Sequence, residues 1–133
     1  LRVAAMALGE RGTVTQGRAP EIPEVERPAD LGTLLDMLHF LTDDEAALTL
    51  QRVRERLTAG APLLVRVSLV PACRRLPWSW WVQNLLLRAA RVPVCYRPLP
   101  RVAELAAAAG FRVERTLPSG ADGELAWLVA RTP

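Results

Sequence analysis

The sequence predicts a three-layer α/β fold with a mostly parallel sheet that ends in an antiparallel hairpin. Three observations carry this. A strand candidate at residues 30–35, a capped helix, Gly60 and a second strand candidate at residues 62–70 follow one another within about 40 residues. That order suits a βαβ unit, because a helix must return the chain before a second strand can run parallel to the first. The run PLLVRVSLV at residues 62–70 is almost continuously apolar, the pattern of a strand buried on both faces. Residues 111–117 and 124–131 are separated only by Ser119-Gly120-Ala121-Asp122-Gly123, too short for a crossover, so they pair as a hairpin.

Each element has a local cause. Val3, Met6 and Ala7 sit at helical spacing in an Ala-rich opening that stops at Gly9, and they read as the tail of a helix. Thr13, Val14 and Thr15 make a short β-prone run between Gly12 and Gly17. Pro20, Pro23 and Pro28 mark residues 19–28 as an irregular connection. Thr42 and Glu45 form a capping box, and Ala46, Ala47, Leu50, Val53 and Leu57 give the following helix one apolar face until Gly60. A further helix is expected from about Trp78 to Arg91. Pro100 suits a helix's first turn, and Val102, Leu105, Ala106 and Ala109 make its apolar face before Gly110. Trp127, in mid-strand, is expected in the core.

Composition excludes several classes. The 133 residues fit one domain, and with 50% hydrophobic and 23% charged residues the chain can pack a core rather than stay disordered. All 17 basic residues are Arg, yet the net charge is only +3, which argues against a nucleic-acid partner. Cys73 and Cys95 have neither metal-ligand spacing nor a disulfide framework. No apolar run reaches the ~20 residues that span a bilayer, so a cytoplasmic location is expected. The chain starts at Leu1 rather than Met and is read as a fragment. Charge is unevenly placed: residues 71–101 hold Arg74, Arg75, Arg88, Arg91, Arg97 and Arg101 and no acid.

Three stretches, in order, resemble the carboxyl-terminal portion of the class I S-adenosylmethionine-dependent methyltransferases. Leu34-Leu35-Asp36-Met37-Leu38-His39-Phe40-Leu41 is similar to the end of the family's strand 4. Leu57-Thr58-Ala59-Gly60-Ala61-Pro62-Leu63-Leu64-Val65 is similar to its entry into strand 5, with the paired glycines reduced to Gly60-Ala61. LAAAAGFRV at residues 105–113 is similar to its entry into strand 6. The resemblance implies a Rossmann-like sheet of strand order 4-5-7-6 in family terms, whose N-terminal strands and glycine-rich cofactor loop have no counterpart here. It implies S-adenosyl-L-methionine as cofactor, lying against Gly17, Arg18 and Ala19 and against Leu35, Asp36, Met37 and Leu38. The isolated chain is then expected to bind it weakly or not at all. Strand 4 would present an open edge, a route to a dimer or to the remainder of a longer polypeptide.

Residues keep two readings each. Asp36 lines the methionine end of the cofactor, or is a loop acid ahead of the next helix. His39, the only histidine, is a general base for a hydroxyl or amine acceptor, or packs on the following helix. Trp78, Trp80 and Trp81 with Leu85, Leu86 and Arg88 form the wall of an acceptor site within an insertion at 71–101. They equally fit a membrane-surface helix, or a helix packed into the core. The acceptor implied is a small, lipid-like or aryl molecule, free or carried on an acidic carrier protein. The other function considered is a non-catalytic methyltransferase-like remnant that serves as a protein-interaction module.

Overall fold

The computed structural model describes residues 2–69, 78–90, 92–119 and 125–133. Helix α1 spans Arg2–Leu8 and strand β1 Gly32–Leu35; helix α2 spans Asp43–Arg54 and strand β2 Pro62–Ser68. Helices α3 (Trp78–Ala89) and α4 (Leu99–Ala108) follow, then strands β3 (Arg112–Ser119) and β4 (Leu125–Arg131). The sheet order is β1-β2-β4-β3. β1 pairs with β2 in parallel, while β4 lies between β2 and β3 and is antiparallel to both. The expected strand order and terminal hairpin are therefore present.

Alternation along the strands defines the core. Leu63, Val65 and Val67 of β2 and Ala126, Leu128 and Ala130 of β4 are buried, and every intervening residue is partly exposed. Against this face pack Ala46 and Leu50 of α2 and Val102, Leu105 and Ala106 of α4, closed at one end by Phe111. Gly110 takes φ +88°, left-handed geometry that favours glycine as the chain leaves α4.

The capping box is formed. The Glu45 amide donates to Thr42 Oγ1 (3.3 Å), and the Thr42 amide donates to Glu45 Oε2 (2.8 Å). The Thr42 amide first, and its hydroxyl second, donate to Glu45 Oε2 and hold the carboxyl below its ordinary range.

Several expectations need correction. Thr13, Val14 and Thr15 form no strand, because no neighbouring strand among the described residues offers them a ladder. Thr13 and Thr15 instead line a groove of about 980 Å³ together with residues 24–30. α2 ends at Arg54 rather than running to Gly60, since Leu57 leaves the helix to bridge Ala29. β2 is buried on one face only: Leu64, Arg66 and Ser68 stay partly exposed. Trp127 belongs to that second face, half-buried, with the Arg66 guanidinium carbon 5.6 Å from its ring centre. The turn at 120–123, together with Cys73, Arg74, Arg75 and Arg91, lies outside the described residues.

Candidate functional site

At the carboxyl end of β1 the backbone turns sharply. Asp36 adopts φ 51°, left-handed geometry that a non-glycine residue rarely takes. Its amide donates to the Arg66 carbonyl at 3.0 Å, the last rung between β1 and β2. Its Oδ2 accepts from Arg66 Nε at 2.9 Å and from Arg66 Nη2 as well. Asp36 Oδ1 is buried and has no partner among the described residues. An acceptor left so costs about 1–3 kcal/mol, and the carboxyl end of a parallel strand is where open α/β sheets bind ligands.

A 3-10 turn, Leu38–Phe40, follows and carries His39 into the protein, where it is 9% exposed. Its ring lies 4.1 Å from that of Phe40, tilted, and 5.8 Å from that of Tyr96, stacked. Nδ1 is buried with no partner among the described residues. Burial is the main cause that lowers the His39 pKa, opposed by the Asp36 charge and assisted by the Arg97 charge. The imidazole is therefore neutral at pH 7. A neutral ring with an unused nitrogen has the equipment to take a proton from an acceptor group.

Arg97 surrounds this turn from behind. It is 7% exposed, and Nη1 donates to the carbonyls of Leu38 (2.8 Å) and Cys95 (3.2 Å). Nη2 donates to the Leu41 carbonyl and Nε to Asp43 Oδ1, both at 2.6 Å. The Cys95 amide donates to the His39 carbonyl at 2.7 Å. Asp43 also meets Arg101, and these two arginines, Arg97 first, hold its carboxyl below the ordinary value.

The remaining predicted residues fall in two places. Gly17 and Arg18 are exposed and Ala19 packs against the core. The segment they begin runs along α2: Arg18 is near enough to Glu45 to lower its carboxyl. Further on, the carbonyl of Pro20 accepts from Arg52 (2.9 Å), and those of Ile22 and Pro23 accept from Arg56 (3.0 and 3.1 Å). Leu35 is exposed, Met37 half-buried and Leu38 buried, so of that stretch Leu38 belongs to the core. On α3, Trp78 and Trp81 are 78% and 61% exposed, and Val82, Leu85 and Leu86 are exposed with them. Among the described residues, then, these side chains do not pack into the core. Trp80 and Arg88 lie on the same helix, but their side chains are outside the described residues.

Sequence reasoning missed Arg97, Tyr96 and the Asp36–Arg66 pair. Only the absence of acids around Arg97 marked that segment as unusual.

No family model and no curated protein matches the chain. Solved structures do. The mitomycin 7-O-methyltransferase MmcR is 28% identical over 99% of this chain and 37% of its own, with a TM-score of 0.75. LaPhzM is 26% identical over 99% of this chain and 40% of its own, with a TM-score of 0.73. LepI, solved in complex with SAM, is 19% identical over 84% of this chain and 28% of its own, with a TM-score of 0.64. The chain thus spans well under half the length of these neighbours. Strand order, the antiparallel β4 and the three sequence stretches agree with these structures: the chain has the fold of the carboxyl-terminal portion of the class I S-adenosylmethionine-dependent methyltransferases.

Proposed function

We propose that the chain serves S-adenosylmethionine-dependent transfer of a methyl group to a hydroxyl of a small aryl or lipid-like acceptor, as part of a longer cytoplasmic polypeptide. The observation that carries this is His39, neutral, buried and with Nδ1 without a partner among the described residues, a few residues beyond the end of β1. The similarity to an enzyme described as a 7-O-methyltransferase supports oxygen as the methylated atom.

The residues at the end of β1 suit the donor. Asp36 offers a buried carboxylate oxygen with no partner among the described residues, which fits the ammonium of a methionine moiety, and Leu35 and Met37 flank it with apolar surface. Gly17, Arg18 and Ala19 would contribute backbone contacts. Bound there, S-adenosylmethionine supplies an electrophilic methyl group on a sulfonium. His39 accepts the hydroxyl proton as the acceptor oxygen becomes nucleophilic, and Phe40 and Tyr96 hold the ring's direction. Residues 71–101 form the acceptor-binding insertion, where Trp78, Trp80 and Trp81 wall an apolar group and Arg88 meets an anionic one. A carrier-bound acceptor suits the six arginines. The outer edge of β1, unpaired among the described residues, is the contact for the rest of the polypeptide or for a second copy.

Calorimetry with S-adenosylhomocysteine tests the reading, on this chain and on the chain expressed with its upstream coding sequence. The longer protein is expected to bind, and this chain weakly or not at all. Failure of the longer protein to bind would overturn the assignment. That result favours a non-catalytic interaction module instead, a reading that draws on the half-exposed second face of the sheet.

A further inference from the structure

Arg97 is an unusual buried charge. A guanidinium removed from water costs several kcal/mol unless its donors are used, and here its three nitrogens meet four oxygens on three separate segments. Two of those oxygens, the carbonyls of Leu38 and Leu41, bracket the 3-10 turn Leu38–Phe40. One belongs to Asp43 in the first turn of α2, and the last to Cys95, whose own amide holds the His39 carbonyl. His39 thus sits in a loop whose two ends and midpoint are all tied to the stretch that descends from α3. A stability role alone would be served by any of these bonds; together they fix the direction in which the imidazole leaves the backbone.

We propose that Arg97 is the positioning residue of this site: by clamping the carbonyls of Leu38 and Leu41 against Asp43, it sets the orientation of His39 toward the acceptor. This rests on the reading of His39 as the base. It goes beyond it, because it makes the acceptor-side segment responsible for the geometry of the proton acceptor. Arg97 itself touches no reacting atom. Lysine cannot replace it, since one ammonium cannot reach four oxygens spread around a planar fork.

His39 is the only histidine, so its imidazole resonances can be titrated by NMR in the whole chain without ambiguity. Asp36 and Arg97 are the charges that act on it, and Tyr96 and Phe40 are the rings against it. Arg97→Lys keeps a positive charge and removes the fork. Its His39 midpoint is expected to rise toward that of an exposed imidazole, and the Cys95 amide to exchange about tenfold faster. Arg97→Gln should do both more strongly, and Asp43→Asn, which frees only one anchor, more weakly. Arg56→Gln, which releases carbonyls at the other end of α2, is the control. It should lower the melting temperature and leave the His39 midpoint unchanged.

In the longer, S-adenosylhomocysteine-binding protein, Arg97→Lys is expected to lower kcat about tenfold or more with inhibitor affinity unchanged. Arg97→Lys and Asp43→Asn variants that melt lower, yet keep the wild-type His39 titration and Cys95 exchange, would show that Arg97 only stabilises the fold and would overturn the proposal. The titration needs neither cofactor nor acceptor. A shifted midpoint without any methyl transfer would therefore fault the functional reading and not the clamp.

Discussion

Asp36 offers a direct test of whether the end of β1 is strained, because two substitutions there remove the same carboxylate but differ in backbone freedom. At φ 51° an L-residue pays about 1–2 kcal/mol of steric cost that glycine does not. Glycine in turn loses about 0.5–1 kcal/mol more conformational entropy on folding. The difference predicts that Asp36→Gly is more stable than Asp36→Ala by about 0.5–1 kcal/mol, or about 2–4 °C in Tm. Both variants lose the bonds to Arg66, and since both side chains are about one-third exposed that pair contributes about 0–1 kcal/mol. Since removing the carboxylate also relieves the unpaired Oδ1, Asp36→Gly should be no less stable than the wild type. Urea unfolding followed by circular dichroism measures this, provided the slope m stays constant across the three proteins. An alanine variant as stable as the glycine variant would refute the reasoning. A strained, partly unsatisfied acid is retained where function needs it, so both variants should lose S-adenosylhomocysteine affinity in the longer protein.

The core should respond as a well-packed one. Leu128→Ala, at a residue with no exposed surface, is expected to cost about 2–5 kcal/mol, while Leu86→Ala on the exposed face of α3 stays within about 0.5 kcal/mol. Similar losses from the two would mean that α3 is packed into the protein. Asp43, held below its ordinary value of 3.8 first by Arg97, binds fewer protons folded than unfolded. Its stabilisation is present above pH 4 and fades as the pH falls through its folded value; Asp43→Asn should flatten the acid limb of the stability curve. An unchanged acid limb would show that the ion pairs of Asp43 contribute nothing to stability. Finally, Trp81→Ala in the longer protein should weaken acceptor binding without lowering Tm, given its exposure. A fall in Tm with acceptor binding intact would make it a packing residue.

What was legible in the sequence is what local chemistry dictates. Thr42 and Glu45 announce a helix start whatever lies around them, and Val102, Leu105, Ala106 and Ala109 share a face by period alone. The hairpin followed from the five residues between its strands. Trp127 was misplaced because both parities of β4 are apolar: Ala126, Leu128 and Ala130 on one face, Leu125, Trp127 and Val129 on the other. Size pointed to the wrong face, and the choice was settled by which face α2 and α4 cover. Thr13, Val14 and Thr15 failed for the converse reason, since β-propensity expresses itself only beside a partner strand.

The site was half legible. His39 and Asp36 lie in one contiguous stretch that resembles the family, so a single motif could mark both. Arg97 could not be marked, because three of its four partners are backbone carbonyls, which leave no trace in side-chain identity, and two of them lie 59 and 56 residues upstream. The same physics explains why it matters. The 3-10 turn Leu38–Phe40 is too short to hold its own geometry, with only the Phe40 and Leu41 amides bonded back to Met37 and Leu38. Its shape must be supplied from elsewhere. Arg97 and the Cys95 amide supply it from the strap that leads out of α3, the helix whose Trp78 and Trp81 face solvent. The helix proposed to meet the acceptor and the residue proposed as base are thus joined by one short segment, residues 92–98.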